Sequence, residues 1–422
     1  MSDILNKKYH IAIIGGGASG LAAAIAAKKT ATADLSVAVF ERQLRVGKKL
    51  IATGNGRCNY TNVSTKAENY NFSAREFAKI ALSKFTPENN ISFFEKLGIY
   101  PDYEENGKVY PYSHQSSSFV DVLRFSAENL GIEIITETEV QAVKPHGIYF
   151  KVATDMGDFE AKKVIFATGG MASPDLGGTV KGYNLARSMG HSVGDLSPAL
   201  VQIKTENDLP KSLKGIKFWG NATLKSADKI LGEEQGEILF AEYGLSGLPI
   251  LQLSCYLVAQ PLGDIWIFLD FFPKISKNEL IEILKERQKL LGYLTLENYF
   301  TGFMNKKTAQ LLLKRILDRQ LSFKVEDLYT EDIFRISSGV KGFKLAVQGV
   351  TGWKNAQVTA GGVATAEVFE DSMESKIVQG IYFCGELLDV NGDCGGFNLQ
   401  WAWSSGRLSG ESAVKALGME ND

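Results

Sequence analysis

Short apolar runs on either side of an alanine-rich segment open the chain and predict a strand, a helix and a second strand. Residues 11–14 (IAII) form a continuous apolar run, which is typical of a parallel strand buried on both faces. The alanine-rich segment at residues 18–27 predicts a helix, and a second apolar run, VAVF, occupies residues 37–40. The order strand, helix, strand predicts an α/β fold.

Three glycines connect the first strand to the helix at the spacing G-x-G-x-x-G. Gly15 permits the tight turn, Gly17 lets the backbone approach a pyrophosphate, and Gly20 lets the helix pack closely on the strand. The N–H groups at the start of the helix face the phosphates, where the helix dipole favours negative charge. Glu41 follows the second strand and is placed to accept hydrogen bonds from an adenosine ribose. The segment therefore predicts a Rossmann-like dinucleotide-binding domain.

Later segments decide which dinucleotide is bound. VIFATGG (164–170) predicts a strand that stops at two glycines, and IYFCGE (381–386) predicts another that ends in a glycine and an acid. Gly395 and Gly396 then begin a further helix. A nicotinamide dehydrogenase needs no second helix N-terminus here, whereas FAD extends its ribitol and flavin past the strand ends toward one. We therefore expect FAD, bound by a domain split between residues 1–195 and 358–422.

The middle of the chain predicts separate domains. Alternating residues from Ile132 to Val164 predict a β-meander over the adenosine, with the Val140 backbone at the adenine; an ordinary edge hairpin is the alternative. Ser276 and Glu279 form a capping box at the start of a helical region. The predicted segments are an inserted β (substrate) domain (196–272), a small helical subdomain (273–330) and a strand returning to the β domain (331–357).

Composition narrows the class of protein. A net charge of −2 and a pI near 6.2 argue against nucleic acid or an anionic membrane as the main partner. The polar first ten residues do not resemble a signal peptide, and glycine and proline in the uncharged run 243–263 favour a buried element over a membrane span. The cysteines and histidines lack disulfide-framework or metal-ligand spacing, so we expect reduced thiols, no metal site and a cytoplasmic protein.

The loop TGNGRCN (53–59) carries the candidate chemistry. Its glycines and asparagines permit positive φ and a close approach of the backbone to a ligand. Arg57 adds a cation that, like the helix start at Gly395–Gly396, is suited to stabilise the negative charge of a reduced flavin; a structural ion pair is the alternative for Arg57. Lys48 or Lys49 is expected to face the pyrophosphate, with solvent as the alternative.

Two cysteines, Cys58 and Cys394, lie in these loops. A flavin disulfide mechanism needs two cysteines within a few residues of each other, and the nearest cysteine to Cys58 in sequence is Cys255. We therefore expect packed, unreactive thiols.

Several motifs spread over nearly the whole chain match one family. They are the fingerprint at 15–20, GKK (47–49), TGNGRCN with TN (53–62), ATGG (167–170), GE with LF (236–240), GLSG (244–247), VTAGGV (358–363), GE (385–386) with Asp389, and GGFN (395–398). In these motifs the chain resembles the BaiN/YhiN-type flavoproteins, which are NAD(P)/FAD-dependent oxidoreductases. The resemblance implies non-covalent FAD and a fold of three parts. The chain departs from the family at 241–242 (AE instead of threonine and histidine), at Leu248 (often proline) and at Lys181 (usually an acid).

The resemblance implies two modes of chemistry on a small organic substrate. One is hydride transfer through flavin N5 from NAD(P)H to an activated C=C bond, and the other is O₂-dependent oxidation of an amine-type donor. A flavoprotein serving RNA modification is the alternative from another class, against which the near-neutral charge counts. No catalytic acid or base is singled out. The candidate cofactor-binding residues are Gly15, Gly17, Ala18, Ser19, Gly20, Glu41, Arg42, Lys48, Lys49, Thr53, Gly54, Asn55, Gly56, Arg57, Cys58, Asn59, Val140, Ala167, Thr168, Gly169, Gly170, Gly362, Gly385, Glu386, Asp389, Gly395, Gly396, Phe397 and Asn398.

Overall fold

The chain forms two compact units. A computed structural model describes residues 7–206, 208–227, 229–258 and 264–419. The first unit takes its chain from both ends, up to Pro198 and from Ala356 onward, and the second is Ala199–Asn355. This arrangement, with the sheet and barrel described below, confirms the predicted split α/β domain with an inserted β domain. The finer domain limits remain predictions.

A seven-stranded sheet forms the centre of the first unit, in the order β6-β2-β1-β9-β8-β7, with β18 also on β9. Strand β9 pairs antiparallel with β8 through residues 157–161 and parallel with β18 through residues 164–166. Because β1, β2, β9 and β18 are parallel, the residues that follow them meet at one edge of the sheet. The strands are β1 (Lys8–Ile14), β2 (Val37–Phe40), β6 (Glu133–Ile135), β7 (Val140–His146), β8 (Tyr149–Thr154), β9 (Gly157–Phe166) and β18 (Ile381–Phe383).

The predicted meander is present as β7, β8 and β9, which pair antiparallel in sequence order. Residues 133–135, at the start of the range assigned to the meander, are instead β6, the parallel edge strand beside β2. These three residues (EII) do not alternate in polarity, and the sequence alone could not show that their neighbour is β2 rather than β7.

Helices α1 (Ala18–Thr30) and α12 (Phe397–Lys415) pack backbone against backbone in the first unit. A Cβ atom on Gly406 would lie 2.4 Å from Ser19 O, and one on Gly410 would lie 2.2 Å from Ala23 O. The other elements of this unit are α2 (Lys48–Ile51), α3 (Arg75–Lys84), α4 (Pro87–Glu95), α5 (Ser116–Asn129), α6 (Lys181–Ser188), a small sheet of β3 (Thr61–Asn62), β4 (Pro101–Tyr103) and β5 (Lys108–Pro111), and the short strands β10 (Ser197–Ala199) and β17 (Val358–Ala360).

The second unit is a closed antiparallel barrel, in the order β11-β14-β13-β12-β15-β16, with five helices among its described residues. The capping box is present, because Ser276 Oγ accepts from the N–H of Glu279 and the Glu279 carboxylate accepts from the N–H of Ser276. The elements are β11 (Ile203–Thr205), α7 (Asp208–Ser212), β12 (Lys217–Ser226), β13 (Lys229–Ala241), β14 (Gly244–Ser246), α8 (Leu248–Ser254), β15 (Ile265–Asp270), α9 (Lys277–Leu291), α10 (Lys306–Leu317), α11 (Thr330–Lys341) and β16 (Phe343–Val350).

The uncharged run 243–263 contains β14 and α8, while its residues 259–263 lie outside the described residues. Among the helices of the described ranges, none combines the length and apolar character needed to span a bilayer.

Candidate functional site

The three fingerprint glycines have two different physical roles. Gly15 has φ +108° and donates its N–H to Phe40 O at 2.8 Å. A Cβ atom on Gly20 would lie 1.9 Å from Gly15 O, so only glycine lets α1 approach β1 this closely. By contrast, among the described residues and apart from its two chain neighbours, no atom lies within 4 Å of a Cβ built on Gly17, the N-cap of α1. Gly17 therefore leaves open space beside Ala18 and Ser19 at the helix N-terminus, where a pyrophosphate fits.

Glu41 lies directly after β2 and is bound by backbone donors. Its Oε2 accepts from the N–H of Gly16 at 2.9 Å and its Oε1 accepts from the N–H of Gln43 at 2.8 Å. The segment leading to Val140 lies beside Glu41, because Thr138 donates its N–H to Glu41 O at 3.0 Å. Each carboxylate oxygen keeps a further lone pair, so the geometry leaves capacity for the two ribose hydroxyls predicted from the sequence.

Replacing Glu41 by alanine is expected to weaken FAD binding at least about tenfold. Hydrogen bonds to a charged group are worth about 1.5–3 kcal/mol each, and about 1.4 kcal/mol corresponds to tenfold. Titration of the apo-protein with FAD measures the effect. Glu76→Ala, which removes an exposed carboxylate from a 3.7 Å surface pair with Lys79, is the matched control. Equal FAD affinity in the wild type and Glu41→Ala would remove Glu41 from the site.

The two lysines assigned to the pyrophosphate have different partners. Lys48 donates to Gln43 Oε1 at 3.1 Å, and Lys49 donates to Glu386 Oε2 at 2.7 Å. Glu386 Oε1 in turn accepts from the N–H of Thr359 at 2.8 Å. The Glu386 carboxylate, which follows β18, is therefore bonded to Lys49 of α2 and to Thr359 of β17. It remains a prediction that Lys48 or Lys49 also faces the pyrophosphate.

Thr359 is a residue of this edge that the candidate set lacks. Its Oγ1 accepts from the N–H groups of Met171 at 2.8 Å and Ala172 at 3.1 Å, which shapes the turn after β9. A Cβ atom on Gly170 would lie 2.3 Å from Thr359 Oγ1 and 2.6 Å from Glu386 Oε1, so the second glycine of the ATGG motif is required for packing. The sequence signal was its place beside the paired glycines of VTAGGV.

The TGNGRCN loop has left-handed backbone at several positions, with φ of +58° at Gly54, +55° at Asn55 and +62° at Cys58. Arg57 pairs with Glu104 through Nη1 and Oε1 at 2.7 Å, and its guanidinium lies 4.3 Å from the centre of the Tyr110 ring. These contacts correspond to the structural ion pair that was the alternative for Arg57. The charge of Arg57 is therefore largely compensated by Glu104.

Burial disfavours ionisation of the two cysteines near this edge, Cys58 and Cys394. Cys58 is fully buried, and burial raises the pKa of its thiol to about 12. Burial also raises the pKa of Cys394 to about 11. Because the thiolate is the reactive form, neither residue is suited to thiol chemistry at neutral pH.

Helix α12 begins at the predicted glycine pair. Gly395 and Gly396 have φ of +131° and +102°, and Gly396 is the N-cap. The Asn398 side chain holds the preceding loop, since it donates to Gly392 O and accepts from the N–H of Gly392, both at 2.8 Å. Asn59 Oδ1 lies 2.9 Å from the position of a Cβ on Gly396 and, among the described residues, is a buried acceptor without a hydrogen-bond donor. An unsatisfied buried acceptor of this kind costs about 1–3 kcal/mol unless a ligand N–H satisfies it.

The remaining candidates lie along the same unit. Ala167 donates its N–H to Ile14 O at 2.9 Å, which ties the turn after β9 to β1. A Cβ on Gly362 would lie 2.7 Å from the backbone nitrogen of Asp389, whose carboxyl pKa is raised by burial. Other contacts made by candidate residues are Arg42 Nη2 with Gly177 O at 2.8 Å, Thr53 Oγ1 with Leu50 O at 2.7 Å, Gly385 N–H with Ser405 Oγ at 2.9 Å and the Phe397 carbonyl with Tyr70 Oη at 2.9 Å.

These features fit FAD at the carboxyl edge of the sheet. The open space at Gly17 and the carboxylate of Glu41 suit the pyrophosphate and the adenosine, while the unsatisfied Asn59 oxygen and the start of α12 suit the flavin. The fold and this edge define an FAD-dependent oxidoreductase.

Comparison with known proteins assigns the family. The HI0933-like protein Rossmann domain matches residues 9–412, and the chain belongs to that family. The 3-dehydro-bile acid delta(4,6)-reductase of Clostridium scindens is 37% identical over 412 residues, which are 96% of this chain and 99% of that protein. The ribosomal RNA dihydrouridine synthase of Haemophilus influenzae is 29% identical over 93% of this chain and 95% of its own. A solved quinol-fumarate reductase with menaquinol shares the fold at a TM-score of 0.52 and 15% identity, over 99% of this chain and 73% of that chain.

Proposed function

We propose that this protein uses NADH or NADPH to reduce a C=C bond conjugated to a carbonyl group in a small organic molecule. The observation that carries the proposal is the 37% identity to a bile acid reductase over nearly the full length of both chains. In such a reduction the β-carbon gains a hydride, the α-carbon gains a proton, and the nicotinamide is oxidised. FAD, when bound, supplies the two-electron chemistry that links the two substrates.

The chain supplies the binding groups for this chemistry. The open N-terminus of α1 at Gly17 neutralises the pyrophosphate, Glu41 orients the adenosine, and the start of α12 at Gly396 faces the region assigned to the flavin. Positive helix ends stabilise negative charge without reorganisation, because their N–H groups are fixed by the fold.

A second candidate, reduction of uridine in RNA, is favoured by the similarity to the Haemophilus influenzae enzyme. Uracil also contains a C=C bond conjugated to a carbonyl, so the names of both relatives describe the reduction of the same type of bond. The charge on the chain favours the small molecule. Residues 204–217 contain a modest basic cluster of four lysines, Lys204, Lys211, Lys214 and Lys217. Lys214 pairs with Glu242 at 2.9 Å and Lys217 pairs with Glu237 at 2.8 Å, which reduces the attraction of the cluster for phosphates.

O₂-dependent oxidation of an amine-type donor is the further alternative for the reaction. We also propose that the protein is cytoplasmic. The four cysteines are free thiols, as a reducing compartment favours.

Anaerobic stopped-flow spectroscopy tests the proposal. We expect NADH or NADPH to bleach the flavin within seconds, and a steroid or other enone to restore its absorbance faster than air does. Bleaching by amines with reoxidation only by O₂ would establish the oxidase mode instead. Reoxidation by uridine-containing RNA, but not by enones, would replace the small molecule with RNA.

A further inference from the structure

Lys108 begins β5 and lies beside the glycine turn that precedes α12. Its Cε atom is 3.8 Å from the position that a Cβ would take on Gly395. Strand pairing places it there, because Asn62 of β3 is the partner of Lys108 in the small sheet. Asn62 also donates its side-chain amide to Gly395 O at 3.1 Å. Lys108, Asn62 and Gly395 therefore meet at the N-terminus of α12.

The peptide between Gly395 and Gly396 has a defined direction. Its carbonyl points to the Asn62 amide, and the C=O and N–H of a trans peptide point in opposite directions. The N–H of Gly396 thus faces away from Asn62, at the positive end of α12. A helix of this length places a partial positive charge at its first turn.

The charge of Lys108 is available to a ligand, unlike that of Arg57. Within the described ranges, no carboxylate lies within ion-pair distance of the partly buried Lys108, whereas Arg57 is 2.7 Å from Glu104. The fields of Lys108 and Asp393 both reach the turn: burial raises the pKa of the Cys394 thiol, Lys108 lowers it and Asp393 raises it. Asp393, the nearby acid, has its Oδ2 held by the Asn69 amide at 3.1 Å.

Two-electron reduction places negative charge on the pyrimidine ring of a flavin, so a fixed cation there favours the reduced form. We propose that Lys108, rather than Arg57, supplies this cation at the start of α12 and raises the reduction potential of bound FAD. The inference rests on FAD binding and is independent of the substrate.

The test compares FAD-loaded Lys108→Met with Lys108→Arg, Arg57→Met and the wild type. Sulfite adds reversibly to oxidised flavins, bleaches their absorbance and leaves negative charge on the ring, so its affinity reports the local field. We expect Lys108→Met to bind sulfite at least about tenfold more weakly, with a lower midpoint potential, as a lost charge-assisted contact predicts. Lys108→Arg should stay within about threefold of the wild type, and Arg57→Met should change less than Lys108→Met. Lys79→Met, an exposed lysine on α3, is the surface control.

Affinity for FAD distinguishes this role from a structural one. Oxidised FAD is neutral at its pyrimidine ring, so its dissociation constant should change less than about threefold in Lys108→Met. A variant that loses oxidised FAD but keeps the wild-type potential and sulfite affinity per bound flavin would overturn the proposal. So would a larger effect of Arg57→Met than of Lys108→Met.

Discussion

Gly17→Ala is expected to lower FAD affinity at least about 100-fold in a chain that folds normally, whereas Gly20→Ala should lower both FAD affinity and stability. In the part of the chain that the structure describes, no atom beyond the two neighbouring residues lies within 4 Å of a Cβ on Gly17, so the apo-protein has room for a methyl group there. That methyl group would occupy the space of the pyrophosphate and weaken contacts worth about 1.5–3 kcal/mol each. Loss of two such contacts gives the stated factor.

Gly20→Ala introduces the same methyl group at a different place. Alanine in an open helix would stabilise it by about 1 kcal/mol relative to glycine. Here the Cβ would lie 1.9 Å from Gly15 O, so α1 must move away from β1, and overpacking of this kind costs about 1–3 kcal/mol or more. Thermal unfolding of both apo-proteins and FAD titration separate the two effects. A stabilised Gly20→Ala, or a Gly17→Ala that binds FAD like the wild type, would contradict the division of roles.

Gly396→Val is expected to remove most of the bound FAD from the purified protein. The substitution has two costs, since φ is +102° and a Cβ would lie 2.6 Å from Thr61 O. A strained backbone of this kind costs about 1–3 kcal/mol, and the clash displaces the turn that faces Asn59 and Lys108.

Gly352→Val is the matched control, because Gly352 has φ +92° but a Cβ built there would meet none of the described residues within 4 Å, apart from its chain neighbours. Both variants should melt earlier than the wild type, and only Gly396→Val should lose FAD, as measured by the ratio of flavin to protein absorbance. Wild-type flavin content in a folded Gly396→Val would show that this turn only caps a helix.

The sequence determined β1, α1, β2, β9, β18 and α12 of the flavin domain, because each has a strong local signature. It did not predict the small sheet of β3, β4 and β5 or the parallel pairing of β6. The apolar run before Gly15 predicted the buried strand β1, and β2 spans the predicted residues 37–40. The glycine pair at 395–396 marked the start of α12, since few other residues adopt a positive φ at an N-cap. The sequence also predicted a strand returning to the β domain within residues 331–357, where β16 (Phe343–Val350) lies.

The sequence identified the candidate site only as a set of separate loops. Their meeting at one edge depends on strand order, which places β9 between β1 and β18 although these strands are far apart in sequence. Long-range contacts therefore decided the partners of each side chain. Arg57 looked like a cation free to act on a flavin, yet Glu104, 47 positions away, pairs with it.

Thr359 and Lys108 show what only the tertiary structure decided. Lys108 has no local pattern that distinguishes it from an ordinary strand residue, and the only local signal of Thr359 is its place near the glycines of VTAGGV. Thr359 becomes important because its hydroxyl accepts from Met171 and Ala172 next to Gly170 and its N–H binds Glu386. Lys108 becomes important because the pairing of β5 with β3 places it beside Gly395. The sequence determined the fold class, the FAD fingerprint and the strained turns, since these depend on neighbouring residues. The charges and contacts around the flavin depend on residues brought together from distant segments, so the tertiary structure alone decided them.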